Sequence, residues 1–359
     1  MKKTLVILSI GIIAIGVFIS IIFADSPVTI DDFFLVVKIN GNTPEKLKTV
    51  YIKKGDSLEI YPVFKANNTL YSSTAQFVER GQKYLTKRIP AEFSFKWTQI
   101  SPVLKEYDNL KFDDPELVNT YIDPITYNSK PLTDISNYKS GISFDQFSEV
   151  FGTYYISLKS KDFINKSPLN SDRLTETEPI NEVYPYKVVQ IVYREDDTYL
   201  GYLKELFHTP FIMAPRRTLE GFHEVDSHVG SDCAALAIYG KRREGYNYYY
   251  LGPMGIYKYL TPIVEGDLYP KKDMEGLYYT RNLENIKVGK TGIGPGDIVH
   301  FGYQVSVFYQ DEGIKGYLDK NDLLIQSYIP SPSITTIENS GFYHLPIRIF
   351  KWKDLREIN

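Results

Sequence analysis

Cysteine is nearly absent from this chain: 359 residues contain one, Cys233, against 30 tyrosines and 2 tryptophans. A lone cysteine excludes any internal disulfide and any cysteine-rich metal knuckle, so no covalent staple helps the fold. Histidine is equally confined. His208, His223, His228, His300 and His344 are all five of them, so nothing before residue 208 offers a thiol or an imidazole. An excess of one charge is also missing. With 41 Lys+Arg against 44 Asp+Glu the net charge is −3, and no dense basic cluster offsets it, which argues against a nucleic-acid partner. Hydrophobic content of 43% and charged content of 24% describe an ordinary globular protein, and the length predicts two folded domains.

Only one long apolar run is present. Lys2 and Lys3 precede Leu5–Phe23, and Ala24-Asp25-Ser26-Pro27 follows. We expect residues 1–24 to be a signal peptide or an N-terminal membrane anchor, with residues 4–24 holding an exported chain, periplasmic or extracellular, to the membrane. The run is long for a signal and sufficient to span a bilayer. Ile22 makes a mediocre cleavage site after Ala24, and with no cysteine after the run lipoprotein processing is excluded. In an exported chain an unpaired thiol is a candidate reactive group.

Residues 28–195 read as a front domain of short strands. Phe33–Ile39 ends at the turn dipeptide Asn40-Gly41; Ser57–Phe64, Phe93–Ile100, Gly152–Leu158 and Tyr186–Tyr193 follow, rich in aromatic and β-branched residues with period two. This predicts an antiparallel β-sandwich, with residues 104–150 and 164–182, rich in Asn, Asp, Ser and Pro, as long loops. Trp97 and the Gly152-x-Tyr154 pair resemble the buried third-strand tryptophan and the tyrosine corner of an immunoglobulin-like domain, with Ile156 where a disulfide-bearing member places a cysteine. Such a domain is expected to space or to dock.

Residues 196–359 hold the chemistry. Thr198–Phe207 has apolar residues at helical spacing. In Ser231–Gly240, Asp232 is a helix N-cap, Cys233 falls in the first turn and Gly240 offers a C-cap. The positive end of a helix dipole favours the thiolate. A cysteine beside Ala234, Ala235 and Leu236 equally fits a small buried hydrophobe. Downstream, Ile298–Phe301, Gln304–Tyr309 and Asp322–Tyr328 read as a strand meander, giving an α+β arrangement.

In this order the segments resemble the NlpC-type papain-like cysteine peptidases, a group that includes cell-wall endopeptidases. Leu206–Phe211 is similar to the family's "Gly-Thr-Pro-Tyr" segment, Ser231–Leu236 to its "Asp-Cys-Ser-Gly-Leu" nucleophile motif, and Pro295–Phe301 to its "Pro-Gly-Asp-Leu-Val-Phe-Phe" strand. The resemblance implies Cys233 as nucleophile, backbone N–H groups at its helix start as oxyanion donors, and a peptide or cell-wall stem-peptide ligand. It departs from the family where the chemistry sits. The position of the general-base histidine holds Gln304, and that of the third polar residue holds Gln326; glutamine cannot take a proton from a thiol.

His300 is the expected substitute base, depending on one turn. If Gly302-Tyr303 is a two-residue hairpin loop, His300 pairs with Val305 and faces away from Gln304; one residue of slip brings the two to one face. His223 and His228 lie on the segment entering the Cys233 helix and are expected to support the site with Asp232, whereas His344 is the weakest candidate. The His223-x4-His228 spacing suits no zinc pair, and neither metal nor other cofactor is expected. Tyr246, Tyr248, Tyr249 and Tyr250 fit packed core or loop tyrosines better than a platform for sugar rings, and Arg216-Arg217 with Lys241-Arg242-Arg243 fit a solvated charged face by default or else an attraction for an acidic peptide stem. Two functions follow as expectations: an extracytoplasmic cysteine hydrolase or amidase using Cys233 and His300, or a catalytically degenerate papain-like domain that binds a cell-envelope partner.

Overall fold

The computed structural model describes residues 30–91, 93–111, 121–132, 140–146, 148, 150–160, 173–271 and 275–354. The expected signal or anchor, residues 1–24, lies outside them, and no helix among the described residues is long and apolar enough to cross a membrane. The architecture is α+β, with many strands, few helices and mostly antiparallel sheets.

In the front region two sheets enclose a core. In the first, β1 (Asp32–Ile39) pairs antiparallel with β3 (Leu58–Ala66), which also takes β4 (Thr69–Ser72) and the two-residue β10 (Ile142–Ser143). The second has the order β12 (Arg173–Glu176), β9 (Ile125–Pro131), β7 (Lys96–Pro102), β11 (Gly152–Lys159), β13 (Val189–Arg194) and β2 (Thr49–Lys53). All its pairs are antiparallel except β13 with β2. A hairpin of β5 (Gln76–Glu79) and β6 (Gln82–Leu85) is added outside. Period-two alternation sends Tyr154, Ile156 and Leu158 of β11 and Val189 and Ile191 of β13 towards Phe33, Leu35, Ile60 and Phe64, with Trp97 fully buried among them. Each such side chain contributes about 1.5–3 kcal/mol by leaving water. The Tyr154 hydroxyl donates to the Val150 carbonyl at 2.5 Å and ties down the entry to β11.

The two expected long loops are broken by structure. Residues 104–150 carry β8 (Glu106–Asp108), β9 and β10, and residues 173–183 carry β12 and the single turn α1 (Ile180–Val183). Their polar composition concealed them because tertiary pairing, here β9 between β7 and β12, overrides a weak local preference.

In the back region α2 (Tyr199–Leu203) starts at Thr198, whose hydroxyl accepts from the Gly201 N–H at 3.2 Å, and runs on as a 3₁₀ turn to Leu206. Next, β14 (Phe211–Met213) pairs in parallel with β8 of the front region. The helix α3 (Cys233–Arg243) follows. The remaining chain builds a six-stranded antiparallel sheet in the order β15 (Leu260–Pro262), β22 (Arg348–Trp352), β18 (Ile298–His300), β19 (Val305–Gln310), β20 (Leu323–Tyr328), β21 (Ser331–Thr336), with β16 (Tyr269–Pro270) and β17 (Tyr278–Tyr279) as a separate pair. Helix α3 covers the face bearing Val305, Val307, Ile325 and Phe350. The other face, with Val299, Phe301, Phe308 and Leu324, packs on Leu268, Leu318 and Phe342. Gly240 does not end α3. A Cβ there would lie 2.6 Å from the Tyr199 ring, so Gly240 is where α2 and α3 cross, and the helix continues to Arg243.

A further core joins the regions: Ile100, Tyr107, Tyr127, Tyr155 and Val188 from the front meet Ile212 and Val229 from the back. Gly152, at φ +141°, allows a similarly close approach, since a Cβ there would sit 2.6 Å from the Phe207 carbonyl oxygen.

Candidate functional site

Asp232 caps α3 by accepting from the Ala235 N–H at 2.7 Å. Cys233 therefore occupies the first turn, as its spacing from the cap predicts. Its surroundings are apolar: it packs in the core that α3 forms with Val305, Val307 and Ile325, and only 6% of its surface meets solvent. Burial, and then the neighbouring Asp232 carboxylate, push the thiol up to about 12. The N–H groups near the sulfur, including that of Val305, oppose this without reversing it. A rise of that size corresponds to several kcal/mol against the thiolate, whereas a helix N-terminus supplies roughly 0.3–1 kcal/mol in its favour. Burial also drives the Asp232 carboxyl up to about 6.

The turn after β18 takes the two-residue form: the Phe301 N–H donates to the Gln304 carbonyl and His300 pairs with Val305. His300 is fully buried against the Tyr257 ring, 4.5 Å between centroids. Its Nε2 lies 2.8 Å from the Pro253 carbonyl oxygen, which requires a proton on that nitrogen. Its Nδ1 accepts from the Gly302 N–H at 3.0 Å and lies 3.1 Å from the Tyr257 hydroxyl. Both ring nitrogens are occupied, and burial lowers the imidazole below its ordinary value.

Gln304, in register with Phe301, falls out of step with His300 and Val305 and donates to the Ser327 carbonyl at 3.3 Å. Gln326 accepts from the Ser306 hydroxyl at 3.1 Å and donates to the Ser340 carbonyl at 3.1 Å. That places it on the Phe342 side of the sheet, opposite α3. The structure thus brings Asp232 and Val305 to Cys233, engages His300 with Tyr257 and Pro253, and sends Gln326 to the other face.

His228 and His223 go to separate places. His228 lies in a polar cluster between the two regions, centred on Glu205, a fully buried carboxylate. Arg243, at the end of α3, places Nε 2.9 Å from Glu205 Oε2, and Arg194 from β13 places a guanidinium nitrogen 3.3 Å from Oε1. The Tyr239 hydroxyl donates to Glu205, and His228 Nε2 lies 2.6 Å from that hydroxyl oxygen, which assigns its proton to Nε2. Burial raises the Glu205 carboxyl, but the His228 ring, Arg243 and Tyr239 together hold it below the ordinary carboxylate range. Further bonds cross the same seam, from the Thr153 hydroxyl to the Glu205 carbonyl at 2.7 Å and from Gln190 to the Ser227 carbonyl at 2.8 Å. Glu224, also buried, accepts from Asn109 at 2.8 Å and from the Arg216 N–H at 2.7 Å; burial lifts it to about 7.

His223 lines a cleft of about 460 Å³ on the back region, with Arg216, Arg217, Asp226, Arg242, Tyr249 and Tyr250. Its ring stacks on Tyr250 at 4.3 Å, and burial, with Arg217 and Arg242 nearby, pushes it down to about 4. Asp226 pairs with Arg242 at 3.1 Å and accepts from the Tyr250 hydroxyl at 2.6 Å. Cys233 does not line this cleft. In the tyrosine cluster, Tyr248 stacks internally on Tyr259 at 4.1 Å, as a packed tyrosine does, whereas Tyr249 is exposed at the cleft rim. Among the described residues no three His, Cys, Asp or Glu side chains converge as metal ligands.

Sequence reasoning missed Glu205. Its one signal was the charged pair Lys204-Glu205 interrupting an otherwise apolar helical stretch. Comparison with protein families, with curated proteins and with solved structures found no match to this chain.

Proposed function

We propose that this is an exported binding protein, in which an immunoglobulin-like sandwich is joined to a papain-like, NlpC-type domain that binds without cutting. The first half of this reading is supported by the order β9-β7-β11-β13-β2 with its parallel last pair, by Trp97 on β7, and by the Tyr154 bond to Val150. The second is supported by a cysteine-bearing helix laid on an antiparallel sheet. Export rests on the apolar segment before residue 24.

One observation carries the absence of catalysis: the Cys233 thiol is buried, which pushes its ionisation up to about 12, while His300 spends both ring nitrogens elsewhere. Acyl transfer by cysteine needs a thiolate and a base within hydrogen-bond reach. The test is alkylation of Cys233 against pH, in the folded and the urea-unfolded full-length protein. Folded protein is expected to react at least about a hundredfold more slowly at pH 7 to 9, with no change in His300→Ala. A fast native reaction that collapses in His300→Ala would restore the cysteine hydrolase.

A further inference from the structure

A second cleft, of about 510 Å³, is lined by the turn Pro295-Gly296-Asp297 before β18, by Thr198 and Tyr199 at the start of α2, and by Lys351 and Trp352 at the end of β22. Two lysines, Lys241 and Lys351, and two carboxylates, Glu244 and Asp297, line it, so its charges balance. Lys241 and Glu244 meet each other at 2.7 Å. The other two groups keep hydrogen-bonding capacity. Asp297 Oδ2 accepts from the Gly294 N–H at 2.7 Å, which leaves Oδ1 with no donor among the described residues. The exposed Lys351 ammonium has no acceptor and no carboxylate within ion-pair distance among the described residues. Its charge reaches Asp297 only across a wider gap, where it opposes the rise that burial imposes on that carboxyl.

Trp352 supplies an apolar surface between these groups. Its indole is half-buried; Tyr248 stacks against it with the rings 20° apart, and Tyr199 meets it edge-on at 5.9 Å, so its neighbours fix its orientation. A fixed indole beside one carboxylate oxygen and one ammonium suits an uncharged, polyhydroxylated ring. The C–H groups of such a ring pack on the indole, and its hydroxyls, each both donor and acceptor, serve the two polar groups. Balanced charge gives an ion of either sign no net attraction. The volume suits a small molecule or a short oligomer.

We propose that this cleft binds a neutral sugar, a pyranose ring packed on Trp352 with its hydroxyls donating to Asp297 and accepting from Lys351. This rests on the reading of the protein as a binding module and names the ligand class. It does not depend on the state of Cys233, so the alkylation experiment and the one below fail independently.

The experiment is a fluorescence titration of the full-length protein, in a detergent without a sugar headgroup, with maltotriose, cellotriose and triacetylchitotriose as probes under tryptophan-selective excitation. Of the two tryptophans, Trp97 is fully buried in the front core, so a saturable change reports Trp352. Saturation by at least one probe at millimolar concentration or below is the expected result. Lys351→Ala, a change at an exposed position, is expected to weaken it about tenfold. Asp297→Asn, which keeps an oxygen for the Gly294 N–H, is expected to weaken it by less. Absence of a saturable change with all three probes, or binding equally tight in a folded Lys351→Ala variant, overturns the proposal. Tighter binding of malate or of putrescine than of any sugar overturns it as well, because the ligand would then be an ion.

Discussion

The two ends of helix α3 are made of the same eleven residues, yet they hold opposite kinds of interior. At its first turn Cys233 enters an apolar pocket under Val305 and Ile325, and burial suppresses its one ionisation. At its last turns Tyr239 and Arg243 reach Glu205, a carboxylate buried just as deeply that stays ionised. The difference lies in partners rather than in depth. Removing a charge from water costs several kcal/mol, and only a group met by donors and counter-charges keeps its ionised form. Arg243, Arg194, Tyr239 and His228 do this for Glu205, and among the described residues no basic side chain is seen to do it for Cys233. The consequence reaches beyond one helix, because Arg194 belongs to the front sheet and the Glu205 cluster joins it to α3.

The sharpest way to break this comparison is Glu205→Ala. It leaves Arg243 and Arg194 facing a cavity, and a loss of about 3–5 kcal/mol is expected in urea unfolding of the full chain. Cys233→Ala at the other end is expected to cost about 1 kcal/mol, the loss of one small apolar group. Equal losses would sink the contrast. Between the ends, Gly240→Leu drives a side chain into Tyr199 and Leu203 and should cost about 1–3 kcal/mol, read as a lower urea midpoint.

Acidity provides a finer test. The lowered Glu205 carboxyl contributes stability that is complete above its unfolded value, about 4.5, and is lost as pH falls through its folded value. Glu224 acts with the opposite sign. Lifted to about 7, it keeps its proton in the folded state after the unfolded chain has lost it, so stability declines as pH rises from about 4.5 to about 7. Glu224→Gln should remove that part of the decline and leave the acid limb in place; Glu205→Gln should remove the acid limb instead. A pH–stability profile unchanged in Glu224→Gln would contradict the burial of a neutral acid there. The smallest effect is expected from Gln304→His. Out of register with Val305, the new imidazole should not raise the alkylation rate of Cys233, and a clear rise would place it on the α3 face after all.

Much of the frame was legible in the chain. Alternation in Phe33–Ile39, Gly152–Leu158 and Gln304–Tyr309 marked strands because the pleat imposes a period of two on whatever one face buries. Asp232 marked the start of α3 because a carboxylate satisfies helix N–H groups locally. The parallel pairing of β8 with β14 was not legible, since three-residue strands carry no periodicity and their partners lie far apart in sequence. Gly240 misled for a related reason: a glycine that admits a crossing helix looks, in sequence, like one that ends its own.

The sequence by itself determined the local elements and the inventory of reactive groups, one thiol and five imidazoles behind a front region with neither. These follow from propensity, capping and residue type, which act over a few neighbouring positions. Only the tertiary structure decided which groups keep their charge. The hairpin register at Gly302-Tyr303, the packing of Val305 over Cys233 and the arrival of Arg194 beside Glu205 set the local dielectric and the counter-charges. A pKa is the sum of those surroundings, and they come from every part of the chain that folds against the group.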